Sequence, residues 1–183
     1  YFQTYGLPTL VTHGSNTYGP RQFPEKFLPL IILRALSGLS LPVYGTGANQ
    51  REWIHVEDHA EGVKAVLRAG LVGQSYNLGG EARLPNLEVA KTLCAKLDDR
   101  LPSDQLGRAQ DLVEFVPDRP GHDFRYAMDS TKAKSELGWE PEINFQDGLA
   151  STIDWYINNA PWWQPITREK YSLTRLGTGE NSL

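Results

Sequence analysis

The segment VYGTGANQREWIHVEDH, residues 43–59, gathers groups able to do chemistry: two glycines, Arg51, the acids Glu52, Glu57 and Asp58, and two histidines. Such a segment suits a dinucleotide, a metal ion, a phosphate or a plain turn, and each needs different company. A dinucleotide fingerprint requires Gly-x-Gly-x-x-Gly between a strand and a helix, so that backbone amides and the helix N-terminus cradle the pyrophosphate. Gly45-Thr-Gly47 is followed by Ala48, Asn49 and Gln50, and then by another strand candidate; Gly177-Thr-Gly179 fails in the same way. The chain therefore carries no cofactor fingerprint of its own. His55 and His59 stand four apart, but a zinc-binding pair at that spacing needs one helix to present both rings. Here His55 sits in a strand candidate and His59 in the following helix, so no metal site is expected.

Other chemistries fail on residue type. The hydrolase elbow Gly-x-Ser-x-Gly is absent. Cys94 lies on the apolar face of a helix, where a thiol behaves as a small core residue. The Tyr-x-x-x-Lys of short-chain dehydrogenases sets a lysine beside the tyrosine to lower its pKa. None of the eight tyrosines has a lysine four residues on. What remains is a set of polar loop residues: Asn16, Lys26, Arg51, Asn86, Arg119 and His122. Arginine makes bidentate charge-assisted bonds to phosphate, and glycine lets backbone approach an anion. One arginine alone reads as a surface ion pair. Several on loops ordered by glycine and proline, as in Asp118-Arg-Pro-Gly-His-Asp123, point to an anionic ligand.

The elements that must position these groups alternate between strand and helix. Strands are predicted at Thr9–His13, Leu41–Tyr44, Trp53–Val56, Ser75–Leu78 and Leu112–Val116. Gly14 to Arg21 reads as a polar loop. Helices are predicted over Pro24–Leu36, where Pro29 should kink the helix or shift its start, and over Glu57–Ala69. A further helix runs from an N-cap at Asn86, with Leu87, Ala90, Leu93, Cys94 and Leu97 at helical spacing. Two more cover Ser130–Leu137 and Phe145–Asn158. From Pro161 onward periodicity is lost, and residues 161–183 are expected as an extended or loosely packed tail. The alternation argues an α/β architecture.

Length and composition fit that reading. The 183 residues suffice for one domain with a real core, and 40% apolar with 22% charged residues is an ordinary globular mixture. A net charge of −4 disfavours a nucleic-acid backbone as partner. One cysteine excludes an internal disulfide and fits a reducing, cytoplasmic setting. No transmembrane run is visible, so no membrane partner is expected. The chain opens at Tyr1 rather than Met, so a longer gene product is expected.

Several segments then occur in a telling order: Tyr5-Gly-Leu-Pro-Thr9, Ser15-Asn-Thr-Tyr-Gly-Pro20, Phe23-Pro-Glu-Lys26, Leu41-Pro-Val-Tyr-Gly45, Arg51-Glu-Trp-Ile-His-Val-Glu-Asp-His59, Tyr76-Asn-Leu-Gly-Gly80, Asp118-Arg-Pro-Gly-His-Asp123, Arg125-Tyr-Ala-Met-Asp129 and Glu136-Leu-Gly-Trp139. Together they resemble the C-terminal half of the dTDP-glucose 4,6-dehydratases, which are extended short-chain dehydrogenases. The resemblance covers about residues 1 to 163. It implies part of a Rossmann sheet plus a smaller α/β substrate-binding domain. Residues of about 9–16, 53–69 and 75–78 would return to the Rossmann domain, and about 17–52 and 79–160 would form the substrate domain.

The family binds NAD in an N-terminal Rossmann domain, oxidises the sugar at C4, eliminates water across C5 and C6, and returns hydride to C6. Its catalytic groups lie upstream of what corresponds to Tyr1, so the resemblance makes this chain a substrate-recognition half, inactive alone. It implies a dTDP-sugar as ligand, the N-terminal Rossmann half as partner and a homodimer for the whole protein. Carried over residue by residue, Asn16 would contact the substrate near its phosphates. Thr17 stands where the family pattern has an Asn that touches NAD. Lys26 and Phe27, the latter in place of a usual Leu, would flank the substrate. Pro42, Val43 and Tyr44 would lie along base and ribose, with Asn86 also reaching the nucleotide. Arg51 and Arg119 would bind the diphosphate, and Asp118, Arg119, Pro120, Gly121 and His122 would close the site. Related epimerases, decarboxylases and GDP-mannose dehydratases, or a binding module without chemistry, are the alternatives. A chain separated from its sheet neighbours is also expected to expose edges and apolar surface.

Overall fold

The computed structural model describes residues 1–101 and 107–173; Gly177-Thr-Gly179 and the last part of the expected tail lie outside them. The chain divides into two compact units, each built from three stretches. Unit 1 holds residues 1–19, 50–84 and 125–148, and unit 2 holds 20–49, 85–124 and 149–183. Residues 79–84 and 125–148 thus pack with the expected Rossmann-returning segments rather than with the rest of the substrate domain.

In unit 1 the short helix α1 (Phe2–Tyr5) precedes β1 (Val11–Gly14), which pairs in parallel with β5 (Ser75–Leu78) in the register Val11 to Ser75 and Gly14 to Leu78. A second sheet has the order β2–β4–β6, with β8 also on β4. Its strands are β2 (Asn16–Tyr18), β4 (Gln50–His55), β6 (Ala82–Pro85) and β8 (Arg125–Tyr126). Strand β2 lies inside the stretch expected as loop. Its three residues carry no period of their own, and parallel pairing to β4 makes them a strand. β6 and β8 were likewise not legible, being four and two residues long.

Helix α3 (Val56–Ala69) follows β4 directly, with acids Glu57 and Asp58 in its first turn and Arg68 in its last, as the helix dipole favours. The core of this unit joins Ile54, Val66, Tyr76, Leu78, Ala133 and Trp139. Ala133 comes from α5 (Thr131–Leu137), which ends at Gly138 in a left-handed conformation, φ 63°. Beside it Tyr18 packs edge-on against Trp53 and Phe145.

In unit 2 the predicted 24–36 helix is shorter: α2 spans Phe27–Leu36. Pro29 is then the third helical residue, whose amide has no partner within the helix in any case, so the helix starts late instead of kinking. Its residues Leu28, Ile31, Ile32 and Leu33 are fully buried, as are Leu41, Leu93 and Leu97. They come from α2, from β3 (Leu41–Tyr44) and from α4 (Asn86–Asp98). β3 pairs in parallel with β7 (Val113–Val116), Leu41 opposite Val113 and Tyr44 opposite Val116. Asn86 is not the N-cap expected from its residue type. Pro85 holds that place in an extended conformation, and Asn86 is the first helical residue.

Helix α6 (Phe145–Asn158) has the expected bounds and buries Leu149, Ile153 and Tyr156. The expectation of an extended segment from Pro161 fails at its start, where Ala160–Glu169 forms helix α7. Pro161 lies in its first turn, which tolerates proline, and Trp162 packs edge-on against Trp155. Aromatic packing rather than periodicity holds this helix.

Candidate functional site

The parallel pair β3/β7 places three loop segments of unit 2 at its carboxyl end, where α/β sheets commonly take ligands. After Tyr44 the chain turns through Gly45 and Gly47, both left-handed at φ 55° and 72°. Gly45 N–H donates to Val116 O at 2.8 Å, tying this turn to the end of β7. A side chain on Gly47 would strike Leu87 and Val43, so the close approach of this loop to α4 requires glycine. Leu87 N–H donates to Gly47 O and Asn86 N–H to Asn49 O, which anchors the start of α4 on the same turn. Asn49 is 7% exposed, and its side-chain amide donates to Asp123 O at 3.2 Å, closing the third segment onto the first.

That third segment, Asp118–Asp123, folds back on itself. His122 Nδ1 donates to Asp118 Oδ1 at 2.6 Å, and Arg119 N–H donates to the same oxygen at 2.8 Å. The hydrogen bond from His122, reinforced by the Arg119 amide, holds the Asp118 carboxyl below its ordinary pKa. The imidazole packs edge-on to Tyr44, ring centres 5.9 Å apart. Unit 2 therefore brings Tyr44, Asp118 and His122 into one cluster, with Arg119 and Pro120 exposed on its loop, while Asn86 starts α4 on the Gly47–Asn49 turn. Asn86 Oδ1 is buried and accepts no hydrogen bond among the described residues. Pro42 and Val43 are buried beneath Tyr44, and Val43 is 1% exposed, so their side chains belong to the core. Lys26 precedes α2 and pairs with Glu25, while Phe27 begins that helix half-buried.

Unit 1 carries the other candidates. Asn16 opens β2 opposite Trp53, and Arg51 lies on the neighbouring strand β4, where its Nη1 donates to Gln50 O. Thr17 Oγ1 lies 2.8 Å from His59 Nδ1 and 3.3 Å from Ser15 O. Burial lowers the pKa of His59. His55 and His59 do not converge on one point: His55 caps α3 and packs on Tyr18. Asp58 accepts the amides of Glu142 and Ile143. Among the described residues no group of three potential ligands could hold a metal ion. Cys94 is fully buried, which pushes its thiol up to about 11, outside any nucleophilic role.

Sequence reasoning missed Asn49 and the tie between His59 and Thr17. Asn49 follows a two-glycine turn, and asparagine in such turns commonly bonds backbone, which is the signal available for it. For His59 the partner Thr17 is 42 residues away, and no local pattern connects them.

The sequence model of the GDP-mannose 4,6-dehydratase family matches residues 1–152. The chain belongs to this family. Among curated relatives it is 50% identical over 182 residues to the dTDP-glucose 4,6-dehydratase of Neisseria meningitidis serogroup B, covering 98% of this chain and 51% of that protein. It is 48% identical to the enzyme of the same name from Escherichia coli, over 97% of this chain and 50% of the relative. Among solved structures it superposes on the dTDP-glucose 4,6-dehydratase of Streptomyces venezuelae with NAD and dTDP bound. There the TM-score is 0.83 at 43% identity, over 91% of this chain and 49% of that one. The chain spans about half the length of the curated relatives it matches. The family is thus the expected one, and the fold is that of half an extended short-chain dehydrogenase.

Proposed function

We propose that this chain is the nucleotide-sugar-binding half of a dTDP-glucose 4,6-dehydratase, whose whole form converts dTDP-glucose to dTDP-4-keto-6-deoxyglucose. The observation that carries the reading is the buried, unpartnered Oδ1 of Asn86 at the start of α4, which is anchored on the Gly47–Asn49 turn that follows Tyr44. A buried acceptor left without a donor costs about 1–3 kcal/mol. A nucleotide supplies such a donor from its base or ribose. Within unit 2, Tyr44 would pack on the nucleoside and Arg119 would bond the diphosphate.

NAD does not fit the described residues as a resident group. The Gly45–Gly47 turn leads into β4, not into a helix N-terminus, and Thr17 is engaged by His59. The hydride chemistry belongs to a Rossmann half that this chain would dock. Support for docking comes from unit 1, where β1 has β5 as its one partner among the described residues. Nearby, Tyr5 and Leu71 are 75% and 63% exposed. A homodimer of the completed enzyme and a cytoplasmic setting belong to the same proposal. Among the described residues no helix is long and apolar enough to cross a membrane.

Calorimetric titration of the folded chain with dTDP, UDP and GDP tests the reading. Preference for dTDP over both is expected. Preference for GDP would assign the half-site to the other dehydratase of the family, and no binding of any nucleotide by a folded chain would refute a preformed half-site. Turnover of dTDP-glucose by this chain with added NAD would refute the assignment of catalysis to another half.

A further inference from the structure

We infer that Asp118 and His122 are positioning residues that hold the loop presenting Arg119 to a ligand diphosphate. This rests on the nucleotide reading above. The segment Asp118-Arg-Pro-Gly-His122 forms a closed ring: the His122 imidazole returns its Nδ1–H to the carboxylate that begins the segment. The same oxygen, Asp118 Oδ1, takes the Arg119 amide. One oxygen thus fixes both the residue before the bend and the residue after it. Pro120 restricts the bend from one side, and Gly121 at φ 67° supplies the left-handed turn.

The ring is held to the unit by its inner member. The His122 side chain is 6% exposed, whereas that of Asp118 is 42% exposed. His122 lies edge-on against Tyr44, and the other Asp118 oxygen faces Gly45, whose missing side chain leaves room for it. The long cationic side chain of the ring is Arg119, and no ion pair involves it among the described residues. An arginine on an unrestrained loop must lose backbone freedom when it binds a diphosphate; a ring closed in advance removes that cost. A diphosphate on Arg119 would also meet the Asp118 carboxylate, whose Oδ1 already accepts from His122 and from the Arg119 amide.

The test is a titration with dTDP of the wild-type chain and of His122→Phe, Asp118→Ala, Asp118→Asn, Arg119→Ala and the His122→Phe/Arg119→Ala double variant. His122→Phe keeps a ring against Tyr44 and removes the N–H. Arg119→Ala is expected to weaken dTDP at least tenfold, and His122→Phe and Asp118→Ala severalfold. The double variant should bind within about twofold of Arg119→Ala alone, because the staple acts through that arginine. Asp118→Asn, which still accepts both bonds, should recover most of the loss. Losses that multiply in the double variant, or wild-type binding by His122→Phe, would overturn the inference. Should His122→Phe fail to fold, the exposed Asp118 pair of variants carries the same test. Wild-type binding by Arg119→Ala would instead overturn the diphosphate reading beneath it.

Discussion

The Glu52 carboxylate is wholly buried, and Arg83 reaches it from β6 with Nε 2.8 Å from Oε2. The Met128 amide donates to the same oxygen, and the Arg83 guanidinium is half exposed and also donates to Met128 O. Arg83→Met removes the compensating charge and leaves the carboxylate inside. Losing one partner of a buried pair costs about 3–5 kcal/mol; with Arg83 half in water and the Met128 amide retained, about 2 kcal/mol is expected. Urea denaturation checks this, and the Glu52→Gln/Arg83→Met double variant should recover part of the loss. A single variant as stable as wild type would mean that the pair is only incidental.

Gly79 and Gly80 look equivalent in sequence, yet they differ in what surrounds them. A side chain at Gly79 would meet the Glu52 carboxylate, and at Gly80 it would meet the Trp53 carbonyl in the adjacent strand. Relieving the first contact shifts the buried Glu52 carboxylate against Arg83 and the Met128 amide, whereas relieving the second moves strand backbone and breaks its ladder as well. Gly80→Ala should therefore destabilise more than Gly79→Ala, by about 2 kcal/mol or more. Equal midpoints in parallel denaturation curves would refute the distinction.

These contacts show which parts of the molecule were legible in advance. The helix 145–158 is legible in the sequence because Leu149 and Ile153 repeat at helical spacing, and the structure buries both. The motif segments that gave the family were local runs, and the comparisons agree with them. By contrast β2, β6 and β8 are defined by pairing with β4, so their existence depends on residues far along the chain. The same holds for the site. Tyr44, Asn86 and His122 stand out in the sequence one by one, but the bond from His122 to Asp118 and the Asn49 cross-tie depend on the turn at Gly45 and Gly47 bringing loops together. Pro42 and Val43 share Tyr44's strand, and nothing in the pattern LPVY says that the first three positions of that strand are all buried.

Asp58 illustrates a residue whose motif suggests chemistry and whose contacts are structural. It is 6% exposed, and its two oxygens accept the amides of Glu142 and Ile143 at 3.1 and 3.0 Å. Asp58→Ala strips both partners and should cost about 2–3 kcal/mol, while Asp58→Asn keeps one acceptor and should fall between. Added zinc should leave the melting temperature of either variant and of wild type unchanged. A zinc-dependent rise in wild type that Asp58→Ala abolishes would revive the metal reading of His55, Asp58 and His59.

The pH dependence of stability is set on its acid side first by histidine. Burial lowers the pKa of His59, and it lowers that of His55 against the opposing pull of Glu57 and Asp58. Below about 6.5 the unfolded chain binds protons that the folded chain refuses, so protonation favours unfolding and stability falls as pH drops through that value. The loss continues until pH reaches the lowered folded pKa values. Asp118 behaves in the same direction but in a lower window. Its folded pKa is depressed by His122, so its contribution is present above the ordinary carboxylate value near 3.9 and is lost as pH falls below it. His59→Asn can still bond Thr17 without titrating. It should flatten the stability profile between about pH 6.5 and pH 5, where Asp118 is still ionised. Guanidinium denaturation at half-unit steps of pH reads the slope directly. An unchanged slope in His59→Asn would assign the acid limb to His55 and remove the titrating role given to the ring that holds Thr17.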